Sequence, residues 1–214
     1  MKYKYIFFDL DGTLTDPKEG ITNCVKYALE YYGIHDTNEQ KLMRFIGPPL
    51  VDSFREFYGF SEEQSLEAVE KYRERFSSIG IFENKVYDGV FDMLQRLTDS
   101  GRILVLATSK PKIFADRIMA KYGLRPYFKL VCGSELDGTR NAKDEVIEYA
   151  IARLECDREQ IIMVGDRRQD VIGAKKCGIA SCGVRFGYAE PCELEEAGAD
   201  FIANTIEDLI RVLL

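Results

Sequence analysis

From about residue 86 onward the chain alternates unbroken apolar runs with amphipathic ones, and this limits its possible folds more than any other feature. "RILVLAT" carries nothing polar between Ile103 and Ala107, which suits a strand covered on both faces. "VYDGVFDMLQRLTDSG" before it and "KIFADRIMAKYG" after it have the helical period. "FKLVC" reads as the next strand, "NAKDEVIEYAIARL" as a helix with Asn141 as its cap, "QIIMVGD" as a strand and "RQDVIGAKKCG" as a helix. "IASCGV", "ADFIA" and the helix "TIEDLIRVLL" close the series. "YKYIFFD" at the start is a β-rich run ending at Asp9, with turn chemistry in the "DGT" behind it. Strands and helices in this alternation predict an α/β fold, a doubly wound parallel sheet with helices on both faces.

Between the first strand and this series the character changes. "GITNCVKYALEYYG" bears a helical apolar stripe stopped by Gly33, and "PPLVDSFREFYG" repeats the device with proline at its start and Gly59 at its end. "SEEQSLEAVEKYRERF" opens with Ser61 and Gln64 in capping-box spacing. Three helices with no strand among them predict a helical domain over residues 16–85, inserted into an α/β core made of 1–15 plus 86–214. The aromatic run "FREFYGF" reads as the packing core of that helical part. A length of 214 residues suits one core and a smaller insertion.

The net charge of -7 argues against a surface for nucleic acid or anionic lipid, both of which call for a basic face. Six cysteines without a CxxC pair sit mostly among apolar neighbours and read as reduced core thiols, which implies a cytoplasmic protein. "MKYKYIFF" turns apolar but is cut by Asp9 well short of a signal-peptide core. No segment approaches the roughly 20 apolar residues of a membrane span.

The polar residues fall where chemistry is expected. Asp9 and Asp11 leave strand one, Thr108 and Ser109 end "ILVLATS", and Asp166 with Asp170 follow "IIMVG". All lie at carboxyl ends of predicted parallel strands, where open α/β sheets bind ligands. Four carboxylates in one crevice repel each other unless a cation neutralises them, and oxygen donors without histidine or cysteine favour a hard ion such as Mg²⁺. Gly12 lets the backbone turn tightly here and expose N–H groups as donors. Arg44 in "RFIGPPL" is either structural or a reach toward substrate, and the sequence leaves that even.

Taken together these stretches resemble the haloacid dehalogenase superfamily of phosphatases, over nearly the whole chain. The likeness is greatest to the phosphoglycolate phosphatase-like group, with its helical cap inserted after strand one. "DLDGTLTD" is similar to the first motif, "LATSK" to the second, Lys143 in "GTRNAKDEV" to the third and "GDRRQD" to the fourth, although Asp144 follows Lys143 where many relatives have proline. The resemblance implies a Rossmann-type core and a Mg²⁺-dependent phosphomonoesterase acting on a small phosphate ester. It makes Asp9 the nucleophile and Asp11 the general acid and base. Thr108 and Lys143 then grip the phosphoryl oxygens; apart from the resemblance, Gly12, Ser109 and Arg44 stand as candidate substrate contacts, Arg44 no more so than as a structural residue. Asp9, Asp11 and Asp166 would hold the metal, with Asp170 in support.

Hydrolysis of phosphoglycolate and of nucleoside 5′-monophosphates both accord with this reading, and the cap decides between them. A sugar phosphomutase shares the nucleophile. A receiver-type phospho-switch also combines Asp, Thr, Lys and Mg²⁺, but lacks a helical insertion and a carboxylate placed like Asp11. No GxGxxG follows a predicted strand, which disfavours a dinucleotide site.

Overall fold

In the computed structural model, which describes residues 2–214, six parallel strands form one sheet. The strands in chain order are β1 (Tyr5–Phe8), β2 (Thr15–Asp16), β3 (Lys85–Val86), β4 (Ile103–Pro111), β5 (Phe128–Ser134), β6 (Ile161–Gly165), β7 (Ala180–Val184) and β8 (Phe201–Ala203). The large sheet has the order β5-β4-β1-β6-β7-β8, while β2 and β3 pair as a separate two-stranded ribbon. β1 lies between β4 and β6, with Phe7 opposite Val105 on one side and Met163 on the other.

The apolar runs become interior strands because both of their faces are covered. Phe7, Val105, Ala107 and Met163 pack with Val146, Ile147 and Ala150 of a helix spanning Lys143–Leu154, and with Ala174 of one spanning Arg168–Lys176. The alternate residues Ile6, Phe8, Leu104 and Leu106 point to the opposite face and are equally buried. Each such side chain contributes roughly 1.5–3 kcal/mol through burial. The expected doubly wound sheet is therefore present, with its order reversing around β1.

The helices are α1 (Lys18–Tyr31), α2 (Glu39–Met43), α3 (Leu50–Tyr58), α4 (Glu62–Phe76), α5 (Val90–Asp99), α6 (Lys112–Lys121), α7 (Lys143–Leu154), α8 (Arg168–Lys176), α9 (Glu193–Ala197) and α10 (Ile206–Leu213). The chain divides into two compact units, Met1–Asp16 with Val86–Leu214, and Pro17–Lys85. In the α/β unit, α7 is capped differently from expectation. Ala142, not Asn141, is its N-cap, because the Glu145 carboxylate reaches back to accept the Ala142 N–H at 3.1 Å.

The Pro17–Lys85 unit is helical up to the start of β3, and it holds one α-helix more than the sequence suggests, besides a 3-10 turn at Gly80–Phe82. α2 has five residues, too few to display a period, and is started by Asn38, whose side chain accepts the Lys41 N–H at 3.1 Å. The capping box of Ser61 and Gln64 is present at the start of α4. Phe45 meets Phe54 and Phe57 edge-on at 5.0 and 5.3 Å, and Phe54 stacks on Phe60 at 5.9 Å, so the aromatic run does pack this unit's interior. All six cysteines are free; Cys192 is exposed, unlike the buried majority. Among the described residues no helix is long and apolar enough to cross a membrane.

Candidate active site

The site begins where β1 stops. The Asp9 N–H still donates to the Val164 carbonyl at 2.9 Å, as if the strand continued, and the chain then curls around the Leu10 carbonyl, which accepts from the N–H groups of Leu14 and Thr15 at 2.9 and 3.0 Å. Gly12 makes the curl possible. Its φ of +79° is open to glycine at little cost, and a Cβ there would stand 2.1 Å from Asp166 Oδ2. The DGT turn and the carboxylate after β6 are thereby pressed together.

Asp166 is fully buried and held on both oxygens: Oδ2 accepts the Tyr188 N–H at 2.8 Å and Oδ1 the Thr13 hydroxyl at 3.4 Å. Asp170 lies in the first turn of α8, where its Oδ2 accepts the Arg167 N–H at 3.1 Å. Gly165 leaves the space it occupies, since a Cβ there would fall 2.1 Å from the Asp170 carboxyl. Asp9, Asp166 and Asp170 each offer an oxygen within 4.8 Å of the others.

Lys143, the first residue of α7, reaches into this group. Its Nζ lies 2.9 Å from Asp9 Oδ1 and 2.8 Å from Asp170 Oδ1, and donates a hydrogen bond to the Ala107 carbonyl at 3.1 Å. The two carboxylate contacts are ion pairs without hydrogen-bond alignment, so Asp9 Oδ1 and Asp170 Oδ1 remain buried acceptors lacking an aligned donor. Burial alone would lower the lysine's pKa, but the charges of Asp170 and Asp9 outweigh it and the net shift is upward. Burial likewise lifts Asp166 well above the usual carboxylate range, and the charges of Asp170 and Asp9 add to that. Asp170 is raised by burial, pulled back by Lys143, and rests at about 6.

Asp11, expected among the metal ligands, is not in the trio; Asp170, expected only as support, is. Two residues beyond Asp9, the Asp11 carboxylate turns to the Lys110 ammonium at the end of β4, and its Oδ2 forms a buried ion pair there. Burial raises its pKa, the Lys110 charge opposes this, and Asp9 adds to the rise. The Thr108 hydroxyl is buried and accepts the Lys110 N–H at 3.2 Å. Ser109 presents its carbonyl to the Ser134 hydroxyl at 2.8 Å. Arg44 belongs to the helical unit, where it pairs with Glu56 at 3.1 Å and lies over the Phe57 ring at 4.2 Å.

Sequence reasoning did not single out Thr13, Lys110, Tyr188 or the buried pair of Arg167 with Glu193, whose Nε and Oε1 are 3.0 Å apart. Thr13 and Lys110 lie within the DLDGTLTD and LATSK stretches and were open to notice. Tyr188 and Glu193 come from the segment after β7, whose sequence gives no sign of its destination.

A hard divalent cation fits this donor set. Three buried carboxylates converge without nitrogen or sulfur ligands, two of their oxygens lack an aligned donor, and four acidic groups face only two lysines. The whole lies at the carboxyl ends of adjacent strands flanking the point where the sheet order reverses.

With this geometry goes a clear kinship: a sequence model of haloacid dehalogenase-like hydrolases matches residues 6–184, and the chain belongs to that family. It is 45% identical over 194 residues to a 5′-nucleotidase of Pseudomonas aeruginosa, covering 91% of this chain and 88% of that one. It is 34% identical to the tyrosine-protein kinase PtkA of Mycobacterium tuberculosis, over 97% of this chain and 72% of the other. The crystal structure of a predicted phosphatase from Clostridium acetobutylicum matches with a TM-score of 0.96 at 45% identity, covering 100% of this chain and 99% of its own. Within the family this chain is an enzyme of the phosphatase group.

Proposed function

We propose that this enzyme is a Mg²⁺-dependent phosphomonoester hydrolase that forms an aspartyl-phosphate on Asp9 and acts on small soluble phosphate esters, nucleoside 5′-monophosphates first among them. The observation that carries the reading is the Asp9 carboxylate, buried at the end of the central strand with its Oδ1 2.9 Å from Lys143 and lacking an aligned donor. The 45% identity to a 5′-nucleotidase supports the choice of substrate class.

A carboxylate approaching a phosphate dianion meets repulsion on the order of 8 kcal/mol at ~4 Å with an effective dielectric of ~20. Lys143 opposes that repulsion, and the Thr108 hydroxyl supplies a donor to a phosphoryl oxygen. A cation held by Asp9, Asp166 and Asp170 would supply further positive charge against the transferring group. An Asp9 oxygen bonds to phosphorus while the ester P–O bond breaks, and Asp11 gives its proton to the leaving oxygen. Asp11 then takes a proton from water as that water bonds to phosphorus and the Asp9–phosphorus bond breaks. Inorganic phosphate leaves and both aspartates are restored.

The test is phosphate release from nucleoside 5′-monophosphates, phosphoglycolate, sugar phosphates and pyrophosphate, in Mg²⁺ and in EDTA, with wild type and Asp9→Asn. Mg²⁺-dependent release, greatest on nucleotides, is expected. Asp9→Asn should be silent with an unchanged circular dichroism spectrum. Full turnover in EDTA or in Asp9→Asn would refute the mechanism, and preference for another ester would replace the substrate class alone. The kinship to a tyrosine-protein kinase favours a second reading, passage of the phosphoryl group to a tyrosine hydroxyl; labelled ATP with a tyrosine peptide separates transfer from release.

A further inference from the structure

The mechanism above leaves Lys110 without work, although its ammonium is one of two facing the carboxylates of the site. Its position is built by an irregularity in the sheet. β4 and β5 run in step from Val105 opposite Leu130 to Ala107 opposite Cys132, and the next pair is Pro111 opposite Ser134, so residues 108–110 depart from the ladder. Such departures re-aim side chains, and they occur beside active sites. Here the departing segment is fixed from two directions. The Lys110 N–H donates to the Thr108 hydroxyl at 3.2 Å. On β5, Gly133 lets the Lys110 carbonyl come so near that a Cβ there would stand 2.6 Å from it.

The result is a buried clamp. Lys110 and Asp11 have side chains only 7% and 10% exposed, and the ammonium meets Asp11 at Oδ2. The other oxygen, Oδ1, is buried and has no hydrogen-bond partner. One oxygen of the carboxylate is thus tied and the other left over.

We infer that Lys110 is a positioning residue for Asp11: it holds the carboxylate by Oδ2 so that Oδ1 is the oxygen that passes the proton. This rests on the reading of Asp11 as acid and base. In the first step the Oδ1–H bond breaks as the leaving oxygen gains the proton and loses phosphorus; in the second a water proton returns to Oδ1. Transfer needs heavy atoms about 2.6–3.2 Å apart, and a misplacement near 1 Å costs about 10²-fold in rate. Without Lys110 the Asp11 carboxylate loses the ion pair that holds it at Oδ2.

The experiment compares wild type, Lys110→Met, Asp11→Asn and the double variant on a nucleoside 5′-monophosphate and on p-nitrophenyl phosphate, in Mg²⁺, with kcat and KM separated. The alkyl ester releases a strongly basic alkoxide and depends on protonation; the aryl ester releases a weakly basic phenolate and does not. Lys110→Met should lower kcat on the nucleotide by about 10²-fold at unchanged KM, and leave the initial phenolate burst on the aryl ester near wild type. The double variant should be no slower than Asp11→Asn, since a clamp with nothing to hold is idle. A rise in KM on both substrates would make Lys110 a phosphate contact, and an additive double variant would make it independent of Asp11; either overturns the proposal. If Asp11→Asn itself slows both substrates equally, the acid role of Asp11 fails and the clamp with it. If Asp11→Asn discriminates and Lys110→Met does not, only the clamp fails. Lys110→Gln, which keeps a donor, replaces the methionine variant if that one does not fold.

Discussion

Stripped of divalent cations, the protein should lose stability as pH rises from 5 to 7.5, and Asp170 should account for a measurable part of the loss. Its carboxyl rests at about 6 in the fold because burial outweighs the pull of Lys143, against about 3.9 for an unfolded aspartate. A raised folded pKa means that the native state binds the proton more tightly. The stabilisation is present below the unfolded value and disappears as pH climbs through about 6. The full gap of about two units corresponds to about 3 kcal/mol. Of that, the roughly one unit between pH 5 and the folded pKa, on the order of 1 kcal/mol, is lost over the window named. For a chain of this size that is a fall of a few °C in Tm. Glu83 and Glu148 are shifted downward by their arginine partners, so what they contribute is lost only below this window, whereas Asp166 and Asp11 are raised like Asp170, so the measurement is a difference. Thermal and urea unfolding of wild type and Asp170→Asn would be followed in EDTA across this range. The variant cannot ionise at this position, and its curve should decline less steeply than that of the wild type, Asp166 and Asp11 still contributing to both. Parallel curves for the two proteins would refute the reasoning. Mg²⁺ added at pH 7.5 should return the wild type to at least its stability at pH 5.

Gly12→Ala should reduce kcat by 10²-fold or more and weaken Mg²⁺ in a titration of activity, because its Cβ would displace the Asp166 carboxylate from 2.1 Å and the residue's φ is +79°; unchanged kinetics would refute the crowding. In the helical unit, Gly20→Ala should destabilise by about 1–3 kcal/mol, read from the urea midpoint, since its Cβ would lie 2.1 Å from the Gly80 carbonyl.

The centre of the sheet was legible because β6 and the Ile103–Ala107 stretch of β4 carry no polar side chain, a pattern set by local chemistry alone. The start of α4 was legible for the same reason, its cap and its Gln64 being three residues apart. α2 escaped because five residues hold too little of a helical period, and Asn141 misled because a carboxylate four positions later supplied the cap instead. At the site, the strand ends announce that Asp9 and Asp166 meet. They do not say which way each carboxylate turns. Asp11 is two residues from Asp9 yet belongs to Lys110, a partner 99 positions away, and Asp166 is steadied by Tyr188 from beyond β7. Such choices are made by non-local packing, which a single sequence does not display.

The central place of β1 has a consequence for how the chain is made. Its four residues are translated before both of its neighbours, which begin only at Ile103 and Ile161. At the usual pace of synthesis, β4 follows β1 after roughly 5–20 s, and β6 later still. Throughout that interval "YIFF" has open edges on both sides, the condition that invites pairing with foreign chains. The helical stretch is completed during the wait and before either neighbour exists. Asp9 therefore cannot meet Asp166 until the whole stretch between them has been made, and the emerging protein depends on shielding of this strand long before it has a site to assemble.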